Sequence, residues 1–227
     1  MQLESSVALV TGANRGLGRQ FAAELVRRGA KVYAAARRPE TIDLPGVVRV
    51  PLDITDPESV ARAAKVAEDA TVVINNAGSS LGANLLEGDL DEIRLEMETH
   101  YFGTLAVTRA FAPVLERNGG GAVLNVLSVL SWLHPGQFGA YAGAKAAEWA
   151  QSNALRDLLA PRGIAVSALH VGFMDTDMAA AVPPERKIDP AVVAVLALDG
   201  LAAGRPEIVA DDVSRAAKAA LSTALPG

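Results

Sequence analysis

Short, nearly continuous apolar runs alternate along the chain with longer stretches of helical periodicity. The apolar runs fall at residues 7–10, 31–36, 47–51, 71–74, 122–127, 164–169 and 207–210. Each is bounded by turn residues and predicts a strand. The stretches between them predict helices. One covers 17–28 and closes at Gly29, a residue suited to a left-handed terminus. A second opens at Asp56, an N-cap followed by Pro57, and runs to about 69. A long one covers 89–117 with an early break, and 138–159 is stopped by Pro161 and Gly163. Helices at 190–203 and 211–221 complete the series. Strands that alternate with helices of this length imply βαβ units and a parallel sheet, and runs apolar at every position imply burial on both faces. Right-handed crossovers then give a doubly wound α/β fold with helices on both faces. No shift in composition marks a boundary, so a single domain over 1–227 is expected. Its least regular part is 178–189, where Pro183 and Pro184 precede the mixed charges of Glu185, Arg186 and Lys187; a mobile substrate loop is expected there.

Composition narrows the chemistry. The 227 residues include no Cys, which removes disulfides, thiol catalysis and Cys-ligated metals, and three His offer little to a metal site. The formal net charge is -5, without a basic block, so nucleic acid is not an expected partner. No apolar run approaches the roughly 20 residues needed to cross a bilayer. Nor does a basic region precede an apolar stretch at Met1. No membrane partner and a cytoplasmic location are expected.

Two constellations carry candidate chemistry. The first strand runs into Thr11-Gly12-Ala13-Asn14-Arg15-Gly16-Leu17-Gly18. Glycines there permit a tight turn and bring backbone amides and a helix N-terminus close to a pyrophosphate. The spacing is not G-x-G-x-x-G, and no Gly-Lys-Ser/Thr follows, so a P-loop is disfavoured; an ordinary glycine-rich turn is the alternative. After the second strand, where an NAD site places an acidic residue, stand Arg37 and Arg38. Together with Arg15 they suit a 2′-phosphate, hence NADP(H), the alternative being a solvated loop. The second constellation is Ser128, after the fifth strand, with Tyr141 and Lys145 thirteen and seventeen residues on. Tyr and Lys at i and i+4 share a helix face. A neighbouring ammonium favours phenolate, which suits a Tyr to acid/base work. Alone, the pair also reads as a surface contact on an amphipathic helix.

In this order the motifs resemble the short-chain dehydrogenase/reductase family over nearly the whole chain. The glycine turn looks like its coenzyme loop, Asn75-Asn76-Ala77-Gly78 like its N-N-A-G motif, and Ser128, Tyr141 and Lys145 like its catalytic Ser and Y-x-x-x-K. The resemblance implies a seven-stranded Rossmann sheet and hydride transfer between NAD(P)(H) and a carbonyl or secondary alcohol. It implies that Tyr141 protonates the carbonyl oxygen, that Lys145 lowers the Tyr pKa and binds the nicotinamide ribose, and that Ser128 holds the substrate oxygen. Ser131 is a second hydroxyl at a less fitting spacing. The implied coenzyme contacts are Gly12, Asn14, Arg15, Gly16, Leu17, Gly18, Arg37, Arg38, Asp53, Ile54, Asn76, Ala77, Gly78, Gly172, Phe173 and Thr176, with Tyr141 and Lys145. Asp53 and Ile54 match the adenine position, and 172–176 the nicotinamide segment. Homodimers or homotetramers are usual in the family.

Two positions depart from the family pattern. His100 stands where an Asn helps hold a water beside the active-site Lys, and it joins the catalytic candidates because imidazole both donates and accepts. Val171 replaces a frequent Pro. For an apolar carbonyl substrate the candidates are Trp132, His134, Phe138, Met174 and Met178. A non-catalytic NADP(H)-binding sensor is the second reading, and an extended-family epimerase or dehydratase a third, disfavoured by the short chain.

Overall fold

The computed structural model describes residues 1–221; residues 222–227, the end of the expected 1–227 domain, lie outside the described residues. Strands β1 (Val7–Thr11), β2 (Lys31–Ala36), β3 (Val47–Pro51), β4 (Val72–Asn75), β5 (Gly121–Val126), β6 (Ile164–His170) and β7 (Glu207–Val209) form one sheet. All pairings are parallel, in the order β3-β2-β1-β4-β5-β6-β7. This is the expected seven-stranded, doubly wound Rossmann sheet. The connecting helices are α1 (Gly16–Arg27), α2 (Pro57–Val66), α3 (Leu90–Met97), α4 (Thr104–Arg117), α5 (Gly139–Leu159), α6 (Pro190–Ala202) and α7 (Asp212–Ala220).

Successive side chains of a strand point to opposite faces, and the core divides accordingly. Ala8, Val10, Val72, Ile74, Ala122 and Leu124 pack with Phe21 and Leu25 of α1 and with Val193 and Leu198 of α6. Leu9, Val73 and Val123 point the other way, onto Val60 of α2, Phe111 of α4 and Leu155 of α5. Phe21 and Phe111 are fully buried, one in each layer. Truncation of either to Ala costs about 3–5 kcal/mol. The edge strand departs from the expectation of burial on both faces. In β3 both Val48 and Arg49 are exposed, and a charge at an edge blunts further strand pairing.

Helix starts follow the chemistry of their caps. Asp56, Asp189 and Asp211 accept backbone N–H groups at the starts of α2, α6 and α7, and Pro57 and Pro190 hold first positions. Helix α2 ends at Val66, short of the expected 69, because Asp69 is drawn to β2: its carboxylate accepts from Lys31 Nζ at 2.7 Å and Tyr33 OH at 2.8 Å. The expected break in 89–117 is instead a π-helical segment, Glu98–Gly103, joining α3 to α4 without leaving the helix. Its Gly103 packs closely on Ile54, since a Cβ there would lie 2.9 Å from Ile54 Cδ1 and force that side chain to shift. The segment 178–189 has short-range hydrogen bonding of its own. Single 3₁₀ turns form at Asp177–Ala179 and Pro184–Arg186. Ile188 N donates to Phe173 O at 2.9 Å and Asp175 N to Ile188 O at 3.0 Å, which closes the segment at its base.

Candidate active site

The strand order reverses between β1 and β4, and a crevice opens at the carboxyl ends of strands at such a point. The turns after β1, β4, β5 and β6 converge there.

Gly12 has φ +66° and Gly16 φ +53°, backbone that L side chains rarely adopt. Gly18 meets a different demand, because a Cβ there would overlap Gly12 O and the Asn76 amide. The first helical turn of α1 is thereby pressed against β1, with Leu17 buried beneath it. Thr11 joins this turn to the one after β4. Its hydroxyl accepts from Asn76 N and Ala77 N, both at 2.9 Å, and Asn76 Nδ2 donates to Thr11 O at 2.9 Å. Asn76 therefore serves as a brace between β1 and β4. Thr11 was visible in the motif, but its bracing role depends on a partner 65 residues away.

The rim of the crevice carries exposed charge. Arg15 pairs with Asp177 at 2.9 Å, the two side chains 69% and 75% exposed. Asn14 Nδ2 donates to Thr41 Oγ1 at 3.2 Å. Arg37 and Arg38 are exposed and, among the described residues, form no ion pair. The Asp53 carboxylate is engaged locally by Thr55 N and Oγ1, while Ile54 is buried against Gly103. Across the crevice, Thr176 Cγ2 lies 3.4 Å from the site a Gly16 Cβ would take. Gly172 N donates to Asp211 Oδ2 at 2.6 Å, so the N-cap of α7 also holds the turn after β6.

The other wall is buried. Ser128 caps a 3₁₀ turn by accepting from Leu130 N at 3.1 Å, and Ser131 Oγ accepts from Ser128 N at 3.4 Å. Ser131 thus supports the turn, while the Ser128 hydroxyl lies close enough to Tyr141 to favour its ionised form. Lys145 Nζ lies 5.8 Å from the Tyr141 ring centre. It donates to Val126 O at 2.8 Å and Glu148 Oε2 at 2.7 Å. The other carboxylate oxygen of Glu148 accepts from Thr104 Oγ1 at 3.1 Å. Burial raises the pKa of the Tyr141 phenol; Lys145 pulls it down, Glu148 and Glu96 push it up, and the balance lies above the ordinary tyrosine value. Lys145 therefore acts in the expected direction without deciding the outcome. Burial pulls Lys145 itself down, but Glu148 and Tyr141 outweigh it and hold the ammonium above its usual range.

His100 reaches this wall from the π-helical segment. Its ring meets Tyr141 edge to face, centres 5.1 Å apart, and packs over Gly78, where a Cβ would lie 2.6 Å from His100 Cε1. Nε2 sits 2.7 Å from Ser79 O, which can only accept, so Nε2 carries the proton. Glu96 Oε2 lies 3.3 Å from the same nitrogen, and Glu96 Oε1 accepts from Leu81 N at 2.6 Å. Glu96 and Glu148, both essentially buried, were missed as site residues. One signal was present for Glu148, since residues 141, 145, 148 and 152 fall on one helical stripe.

The substrate candidates separate. Phe138 and Phe173 come together, ring centres 6.2 Å apart, with the Arg186 guanidinium 5.7 Å from the Phe173 ring. His134 and Met178 are exposed near them in sequence. Trp132 is placed in the interior, stacked on His170 with ring centres 3.7 Å apart, and Met174 packs against the core. Among the described residues no group of acidic or His side chains is arranged to hold a metal ion, and no helix is long and apolar enough to cross a membrane.

Comparison with known proteins gives the same architecture. A family model described as short chain dehydrogenase matches residues 6–187. An uncharacterised oxidoreductase of Staphylococcus aureus is 30% identical over 212 residues, 88% of this chain and 92% of that protein. The 1-deoxy-11-beta-hydroxypentalenate dehydrogenase of Streptomyces exfoliatus is 35% identical over 78% of this chain and 70% of its own length. A short chain dehydrogenase from Burkholderia cenocepacia, solved in complex with NADP, superposes with a TM-score of 0.94 at 40% identity, covering 98% of this chain and 95% of the other.

Proposed function

The chain belongs to the short-chain dehydrogenase family of oxidoreductases, and from that premise we propose that it reduces a carbonyl, or oxidises the corresponding secondary alcohol, with NADP(H). The observation that carries this reading is the closeness of Ser128, Tyr141 and Lys145 on one wall of a crevice whose other wall is the glycine turn. The residues fit a dinucleotide: the glycine backbone at 12 and 16 leaves room for a pyrophosphate beside the N-terminus of α1. Arg37 and Arg38 suit a 2′-phosphate, and β2 ends in Ala34, Ala35 and Ala36, with no carboxylate for a ribose hydroxyl. The NADP complex of the 40%-identical neighbour supports the same choice.

When bound, the nicotinamide supplies or accepts the hydride. Ser128 Oγ donates a hydrogen bond to the substrate oxygen and orients it. Tyr141 OH gives its proton to that oxygen in reduction and takes it back in oxidation. Lys145 holds a positive charge beside the phenol throughout. His100 limits the rotation of the Tyr141 ring by its edge-to-face contact. Phe138 and Phe173 offer an apolar contact to the substrate, with 178–189 as a substrate loop. We read the protein as a single domain and as a homodimer or homotetramer; exposed Leu90, Leu95 and Phe102 supply an apolar surface for self-association.

The test is consumption of NADPH or NADH, followed by absorbance, with a panel of aldehydes, ketones and quinones. Turnover with NADPH is expected, slower with NADH. Tyr141→Phe is expected to lower kcat by about 10²–10⁴-fold with NADPH affinity retained. Tight NADPH binding without turnover on any carbonyl would favour the sensor reading instead.

A further inference from the structure

An ammonium beside a phenol favours phenolate, but Lys145 does not face Tyr141 as a lone charge. It is clamped between Val126 O and Glu148 Oε2, at 2.8 Å and 2.7 Å. The ion-pair side chains are only 6% and 2% exposed, so water screens little of their interaction. Glu148 is itself held from a second element by Thr104 Oγ1 and belongs to the same stripe of α5 as Tyr141 and Lys145. A clamped ion pair presents a dipole where a lone lysine would present a full charge.

We propose that Glu148 is a positioning residue: it fixes Lys145 Nζ and offsets part of its charge at the Tyr141 hydroxyl, keeping Tyr141 protonated to higher pH and so favouring its role as the acid of carbonyl reduction. The inference rests on the acid/base reading above. The other groups facing this corner are Glu96 from α3, His100 from the π-helical segment, Ser128 after β5 and, on the Lys145 side, His170 from β6. Glu96 adds to the effect of Glu148. Burial is the larger reason that Tyr141 stands above its ordinary value, and Glu148 adds to it against the pull of Lys145.

The chain has three Tyr, so the ultraviolet difference titration of the parent against Tyr141→Phe isolates the Tyr141 ionisation without any turnover. Glu148→Gln keeps the shape and one acceptor oxygen for Lys145 but removes the charge. It is expected to lower that ionisation by about one pH unit. Glu148→Asp, which keeps the charge, is expected to hold the parent value. In the turnover assay, the alkaline limb of kcat for carbonyl reduction moves down by the same amount, with the carbonyl KM unchanged. An unshifted titration in folded Glu148→Gln overturns the proposal, as does a uniform loss of kcat with an unmoved limb. If Glu148→Gln does not fold, the parent titration still carries the test: Tyr141 ionising below the ordinary tyrosine range, against its burial, would mean that Lys145 acts uncompensated and would overturn the proposal. A shifted titration in a protein that turns over no carbonyl leaves this inference standing and removes the proposed activity.

Discussion

The two walls of the crevice hold charge in opposite ways. On the rim, Arg15 and Asp177 meet at 2.9 Å with most of both side chains in water. On the buried wall, Lys145 and Glu148 meet at 2.7 Å almost without it. Distance alone would rank them as equals. Solvent does not: exposed pairs contribute about 0–1 kcal/mol, whereas removing one partner of a buried pair costs about 3–5 kcal/mol. Arg15 can release its hydrated carboxylate partner at little cost. The buried pair has no such freedom and serves to hold a geometry.

The sharpest way to break this contrast is Lys145→Met, which strands Glu148 in the interior. A loss of about 3–5 kcal/mol in urea-unfolding free energy is expected, on top of any effect on turnover. A loss below 1 kcal/mol would put both walls in the same class.

A smaller effect is expected from His170, also on the buried side. Burial, opposed by Glu207, lowers its pKa from 6.5 to about 4. A folded-state pKa below the unfolded one means that the stabilising contribution is complete above pH 6.5 and is lost as pH falls toward 4. Between pH 7.5 and 5 this amounts to about 2 kcal/mol, at 1.36 kcal/mol per unit. Unfolding midpoints at the two pH values should show it, and His170→Asn should flatten the slope whatever it does to absolute stability.

On the rim, replacing Arg37 and Arg38 together by Ala should weaken NADPH by roughly 10–100-fold and NADH by less than threefold, as read by fluorescence titration. That corresponds to about 1.5–3 kcal/mol for charge-assisted phosphate contacts. Equal losses for both coenzymes would remove the arginine assignment. The smallest change is expected for Arg15→Ala, under 1 kcal/mol in urea unfolding, since its partner stays hydrated.

The same division explains what the chain discloses before it folds. The glycine turn, Ser128 and the Tyr141–Lys145 spacing are legible because each lies within a few residues of a strand end or helix start. Seven strands and their helices are legible because both faces of most strands are covered, leaving unbroken apolar runs. The braces were not legible. Thr11 acts on the turn after β4, Glu148 on a hydroxyl from α4, and Asp211 on a glycine 39 residues earlier. Each of these residues is ordinary in its own neighbourhood, and Asp211 reads only as a helix cap. Trp132 shows the converse: it lies between Ser128 and Tyr141 in sequence, yet its ring is drawn inward by His170 and Trp149. Proximity along the chain is a poor guide where a loop must also close a core.

The π-helical segment at Glu98–Gly103 has a consequence for how this site can change by insertion and deletion. A π turn holds one residue more than the α turn it replaces, and one residue is about 100° of helix rotation. Loss of a single codon in this stretch would let α3 and α4 merge into one regular helix. Everything on the N-terminal side would turn by about a quarter of a circle against the sheet. His100 and Glu96 would then swing away from Tyr141 and Leu81 together, while Phe111 and the rest of α4 kept their places. One residue of length thus acts as a phase setting, which decides whether the face carrying His100 and Glu96 turns toward Tyr141 or away from it without altering any side chain in it.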